Sequence, residues 1–171
     1  MNQFNYYPYV TYYPVRNEVT RAVAYIRGSK FAPELNGYVL FTDVPNGTEV
    51  IVEVHGLPEY QPARGDQAPI GPHGFHIHEN GNCEVGDEMN PFQQAGGHWN
   101  PKNQPHGNHP GDFPVLFSNN GYARMSFFTN RFKVTDIIGK SVMIHQNPDD
   151  YRSQPSGNAG KRIGCGVIVE C

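Results

Sequence analysis

Apolar and polar side chains alternate around Val23 and Tyr25 across residues 19–27, and the same two-residue period returns over residues 37–44 and 49–55. Such short alternating runs predict β-strands with one face turned to a core. Pro45-Asn46-Gly47 is a turn signal between the second and third runs, so these three strands are expected to form a meander. Further strands are predicted over residues 73–79, 115–118, 122–129, 141–146 and 162–170, with Asn119-Asn120-Gly121 as a tight turn. Eight short strands with almost no helical period predict an all-β fold, an eight-stranded antiparallel Greek-key sandwich or barrel.

Two connections break the rhythm. Residues 58–72 hold Pro58, Pro62, Gly65, Pro69, Gly71 and Pro72 and read as a loop, as readily an exposed insertion as a functional element. Residues 80–112 form a long connection without periodicity, which fits a compact domain only if a metal or a covalent bond orders it.

Composition narrows the class. The chain has 171 residues, with Gly 19, Pro 15 and 12% aromatics, as expected of a loop-rich β protein with one core. It contains no run of 18 apolar residues, so no membrane span is expected. A net charge of −3 argues against nonspecific nucleic-acid binding and means that any attraction for an anion must be local. Residues 1–17 are rich in Tyr and Pro (Tyr6-Tyr7-Pro8-Tyr9, Tyr12-Tyr13-Pro14) and are expected to be an N-terminal extension to a domain over 18–171. Residues 1–16 lack a basic n-region and an apolar core, so no signal peptide is read. The expected location is the cytoplasm, or a surface or coat position reached without such a signal.

The histidines carry the chemistry. Residues 73–109 hold six of the chain's eight histidines, where uniform scatter would place about 1.7. On a strand, His76 and His78 point to one face and can present two imidazoles to one ion. Two more nitrogens would complete the tetragonal set that Cu(II) prefers. His98, His106, His109 and Asp112 form a closed tetrahedral set for Zn(II). With His145, six histidines and one aspartate make seven donors, whereas two four-coordinate ions need eight. One imidazole must therefore be shared, and spacing alone does not say which. His55, at the end of a strand-like run, and His73, outside the i, i+2 pair, read as ordinary surface or core residues.

These residues sit in a recognisable order: Gly74-Phe75-His76-Ile77-His78-Glu79, Gly97-His98-Trp99-Asn100-Pro101, His106-Gly107, His109-Pro110-Gly111-Asp112, Ile144-His145, Asp149-Asp150, and the run from Gly157-Asn158-Ala159-Gly160 to Gly166-Val167-Ile168. Over about residues 20 to 169 the chain resembles the copper,zinc superoxide dismutases. The resemblance implies that His76, His78, His98 and His145 hold copper, that His98, His106, His109 and Asp112 hold zinc, and that His98 is the bridge and proton carrier. It implies Asp149 as the carboxylate linking His76 to His106, a role expected because metal-bound imidazoles usually donate their other N–H to such a group. Arg162 matches the residue that guides the anion. The implied reaction is dismutation of superoxide to oxygen and hydrogen peroxide by a redox copper beside a structural zinc.

The family also implies a disulfide between Cys83 and Cys165. Closing about 80 residues, it would contribute roughly 4 to 5 kcal/mol by chain entropy. Two reduced, buried cysteines are the plainer alternative, and Cys171 is left as a free thiol or an intermolecular link. The interval from His145 to Arg162 is short, as in bacterial-type members, so the segment bearing steering lysines and glutamates in animal relatives is largely missing. No such role is given to Lys161 or Asp150. Family dimers differ in interface, so a homodimer is an expectation that no motif here specifies. Two other readings use the same residues: a zinc-holding structural or assembly protein without copper chemistry, and a zinc hydrolase, which the closed donor set disfavours.

Overall fold

The structure, a computed structural model, describes residues 20–171. The Tyr/Pro-rich stretch of residues 1–17 lies outside the described residues. Seven strands form a single antiparallel sheet in the order β4-β6-β7-β1-β2-β3-β5. They are β1 (Arg21–Gly28), β2 (Asn36–Val44), β3 (Gly47–His55), β4 (Phe75–His78), β5 (Ala123–Thr129), β6 (Ser141–His145) and β7 (Arg162–Glu170).

Alternation explains the inner face. Ala22, Ala24 and Ile26 of β1 are buried beside Val39 and Phe41 of β2 and Val50, Val52 and Val54 of β3. Neighbouring positions such as Tyr25 and Glu49 face outward. The sheet curls until its two ends share this core. The Phe113 ring lies 5.1 Å from Phe75 of β4 and 5.1 Å from Phe127 of β5, the two terminal strands. The long connections 56–74 and 79–122 pass between these ends, and the second of them builds most of the site.

The expected eighth strand, residues 115–118, is a correction. Only Leu116 pairs, in a single bridge with His73 (N to O 2.8 and 2.9 Å). Pro114 has no N–H to extend the ladder, and the chain turns again at Asn120-Gly121, whose φ values of 53° and 82° suit a two-residue turn between Asn119 and Tyr122. The strand expected over 73–79 shortens to Phe75–His78, the four residues that pair with Ser141–Ile144 of β6; His73 bridges Leu116 instead, and Glu79 N–H pairs with the Gly97 carbonyl (3.0 Å). Residues 58–72 carry a small ladder of their own, pairing Gln61 with Ile70 and Arg64 with Gln67. A one-turn helix, α1 (Val134–Ile137), was not apparent from periodicity; the Asp136 carboxylate accepts the Lys133 N–H at its start (2.8 Å).

Cys83 and Cys165 are joined, with Cα atoms 5.6 Å apart, so the long connection is fastened to β7. Cys171 is free and exposed. Among the described residues no helix is long and apolar enough to cross a membrane.

Candidate metal centre

Strand register assembles the site. In β4, Phe75 and Ile77 point into the core, which turns His76 and His78 to the opposite face, where the long connection buries them too. One edge of β4 pairs with β6. The other pairs with the connection itself: Trp99 N–H donates to the Ile77 carbonyl (2.8 Å) and Ile77 N–H to the Gly111 carbonyl (3.0 Å). That pairing sets His98 beside His78 and Asp112 beside His76. Gly111 is required there, because a Cβ would lie 2.6 Å from the Ile77 Cβ. His145 ends β6 at a register shift and sits opposite Arg162 of β7.

All seven expected donors therefore converge, in two groups sharing His98: His76, His78, His98 and His145, and His98, His106, His109 and Asp112. Within each group the donor atoms lie within 4.8 Å of one another. Five of the six imidazoles have one nitrogen occupied by an acceptor at the rim. His76 Nε2 and His106 Nε2 donate to the two oxygens of Asp149 (2.7 and 2.8 Å). His78 Nδ1 donates to the Gly96 carbonyl (3.0 Å), His145 Nδ1 to the Gly160 carbonyl (3.3 Å) and His109 Nε2 to the Gln104 carbonyl (3.0 Å). Each of these rings thus keeps an unprotonated nitrogen facing inward.

His98 differs. Its Nδ1 lies 3.1 Å from Asp112 Oδ1 on the zinc-type side, while its Nε2 faces the other group with no partner. The geometry singles out the shared imidazole that sequence spacing left open.

The donor atoms fit cations. His76 Nδ1, His98 Nε2, His106 Nδ1 and His109 Nδ1 are buried and unpartnered, a costly arrangement for lone pairs. His78 Nε2 and His145 Nε2 face each other at 3.3 Å, and His106 Nδ1 and His109 Nδ1 each face an Asp112 oxygen at 3.3 Å. Acceptors aimed at acceptors are stabilised by a positive ion between them. Burial favours the neutral ring at four of these positions: it pushes His76 and His78 well below the usual imidazole range, lowers His98, and brings His145 to about 3. Burial alone would raise Asp112, but hydrogen bonding from His98, the nearby His106 and His109, and the Gly107 N–H hold it at about 2.

Arg162 is fixed at the edge of the His78/His145 group. Its guanidinium donates to the Phe92 and Gly96 carbonyls, each at 2.6 Å, and half-burial lowers its pKa. Gly96 thus serves both Arg162 and His78. A polar cleft of about 310 Å³ lies against Arg162, Lys161 and Gly160. His73 is buried, with Nδ1 2.9 Å from the His145 carbonyl and Nε2 3.3 Å from the Pro58 carbonyl, and its single N–H serves one of them; His55 is exposed against Tyr122, and neither joins the donors.

Sequence reasoning missed the rim acceptors Gly96, Gly160 and Gln104, since any residue supplies a carbonyl. It also gave no role to Gly157, where a Cβ would collide with Asp149 Oδ1 and lie 2.6 Å from His106 Nε2. Its place in the motif run was the available signal.

A curled antiparallel sheet carrying two histidine-rich donor groups with one shared imidazole defines a binuclear metalloprotein of the Greek-key class. The family model for copper/zinc superoxide dismutase (SODC) matches residues 35–168. A Cu-Zn superoxide dismutase of Deinococcus radiodurans is 38% identical over 152 residues, covering 79% of this chain and 78% of the relative. One from Legionella pneumophila is 38% identical over 155 residues, covering 86% and 85%. Among solved structures, the Cu/Zn superoxide dismutase from Brucella abortus superposes with a TM-score of 0.68 at 29% identity, covering 86% of this chain and 98% of that one. The chain belongs to the copper/zinc superoxide dismutase family, whose cofactors are copper and zinc and whose substrate is superoxide.

Proposed function

We propose that this chain performs the family's reaction, dismutation of superoxide, with His76, His78, His98 and His145 holding copper and His98, His106, His109 and Asp112 holding zinc. The observation that supports this assignment is the set of buried inward nitrogens, five of them on rings whose other nitrogen is already engaged. Copper bound there supplies the one-electron exchange that turns two superoxide anions and two protons into oxygen and hydrogen peroxide, while zinc supplies a fixed charge.

The protein's own groups do the rest. Nε2 of His98 is the atom placed to hold a proton and pass it to the product, because Nδ1 is directed at Asp112. Asp149 keeps His76 and His106 in one tautomer and one orientation through its two oxygens. Arg162, fixed by two carbonyls, attracts and orients the anion at the mouth. A homodimer is proposed on the family resemblance alone, and sedimentation of the loaded protein reads it directly.

Metal analysis and turnover of the purified protein test the assignment. We expect one copper and one zinc per chain, and His145→Ala should lose copper and turnover while keeping zinc. Full copper occupancy and unimpaired turnover in that variant would overturn the copper set. Zinc alone after copper loading of the unaltered protein would favour a structural, copper-free role.

A further inference from the structure

Two side chains that touch none of the inward-facing donor atoms grip the backbone of the loop between His106 and Asp112. Gln154, beyond β6, accepts the His106 N–H at Oε1 (2.8 Å) and donates from Nε2 to the His106 carbonyl (3.3 Å). Arg131, just past β5, donates from Nη1 to the His109 carbonyl (2.9 Å) and from Nη2 to Asn108 Oδ1 (2.6 Å). The backbones of two imidazoles in one donor group are thus each fastened to a different distant segment.

We propose that Arg131 and Gln154 are positioning residues that set the geometry of the zinc loop before an ion arrives, and thereby its zinc affinity. The inference rests on the zinc assignment above. Pairing with β4 reaches only its Gly111–Asp112 end, and no ladder shapes the part that carries the two histidines: only two residues separate His106 from His109, and Gly107 adopts φ 89°. Left to itself, such a segment would lose conformational freedom on capturing an ion, and that loss would be charged against affinity. The two clamps impose the order in advance. Gln154 uses both ends of its amide on one residue, so it fixes a peptide orientation as well as a position. Arg131 presents a rigid fork whose geometry a single ammonium cannot reproduce. Asp112 completes the arrangement from inside, accepting the Gly107 and His109 N–H groups at Oδ2 (2.8 and 3.1 Å). The inward nitrogens of His106 and His109 are consequently held against Asp112 even without an ion.

Both clamping residues are exposed, so replacing them opens no cavity in the core. The test measures zinc affinity by chelator competition, and the visible spectrum with cobalt in place of zinc, for Arg131→Met, Gln154→Leu and the double variant. Groups behind metal ligands typically change metal affinity about 10- to 100-fold, so each single variant should bind zinc about tenfold more weakly and the double variant about 100-fold. The cobalt spectrum should shift as its ligand geometry relaxes. Arg131→Lys, which keeps one donor, should recover part of the affinity. Thermal unfolding of the metal-free variants separates positioning from general support. A lowered unfolding temperature with wild-type zinc affinity and cobalt spectrum would overturn the proposal, as would a double variant unchanged in every measurement. If the unaltered protein takes up neither zinc nor cobalt at these donors, the zinc assignment itself fails and this inference falls with it.

Discussion

The two donor groups share one imidazole yet are built in opposite ways. His76, His78 and His145 stand on β4 and β6, adjacent strands whose register fixes them as part of the sheet. His106, His109 and Asp112 stand on irregular chain, ordered by the Asp112 carboxylate inside and by Gln154 and Arg131 outside. A strand delivers ligand geometry as a by-product of folding, whereas a loop needs a dedicated partner for almost every backbone group. Asp149 ties the two constructions together, one oxygen on a strand histidine and the other on a loop histidine.

Acid should separate the halves most strongly. In the metal-free protein His145 titrates at about 3 against an ordinary 6.5, and His76, His78 and His98 shift the same way. A depressed folded-state pKa means that the unfolded chain takes up protons first as pH falls. This stability is therefore complete above about pH 6.5 and drains away toward pH 3, on the order of 4 to 5 kcal/mol from His145 alone. Asp112, held at about 2 against 3.8, gives way only at lower pH. Urea unfolding of the metal-free protein between pH 7 and pH 3 should show the midpoint falling from about 6.5 downward. A flat midpoint down to about pH 4 would mean that the strand histidines are not held neutral by burial.

Cutting the covalent tie should strike the loop and spare the strands. The Cys83–Cys165 bond spans a separation of 82 residues, for which chain entropy gives about 4 to 5 kcal/mol. Cys83→Ser should lower the thermal midpoint of the loaded protein and weaken the hold on Arg162, whose partners Phe92 and Gly96 belong to the tethered connection. Circular dichroism should still report the native sheet; a wild-type midpoint would show that the tether contributes nothing.

The smallest effect is expected at the mouth. Arg162→Gln should leave copper and zinc contents intact and lower the second-order rate about tenfold, about 1.4 kcal/mol. Arg162→Glu should cost more, and the residual rate should depend less on salt. Identical rates in all three proteins at several ionic strengths would remove Arg162 from the mechanism.

Much of the strand-built half was legible in the sequence. Alternation located β1, β2 and β3 to within a few residues, and the i, i+2 spacing of His76 and His78 placed both on one face. The expected strand at 115–118 failed because periodicity does not register the missing N–H of Pro114, although the turn that follows at Asn119-Asn120-Gly121 was legible. The loop-built half was legible only as donor identities. Its supports are the Gln104 carbonyl, a group that every residue owns, and side chains such as Gln154 that lie far away in sequence; the Gly96 and Gly160 carbonyls behind His78 and His145 were invisible for the first of these reasons. Spacing alone left the shared histidine open, the family motifs implied His98, and a count of the rim acceptors leaves His98 as the ring without one.

That count has a stoichiometric consequence. Five rings already keep their single N–H at the rim, so they can accept an ion without surrendering a proton. His98 has no rim acceptor, and binding ions at both of its nitrogens requires it to shed its only N–H. Loading both sites from neutral buffer should therefore release about one proton per chain. Calorimetry in two buffers of different ionisation enthalpy would count it, so the bridge can be detected as a heat of protonation in the solvent.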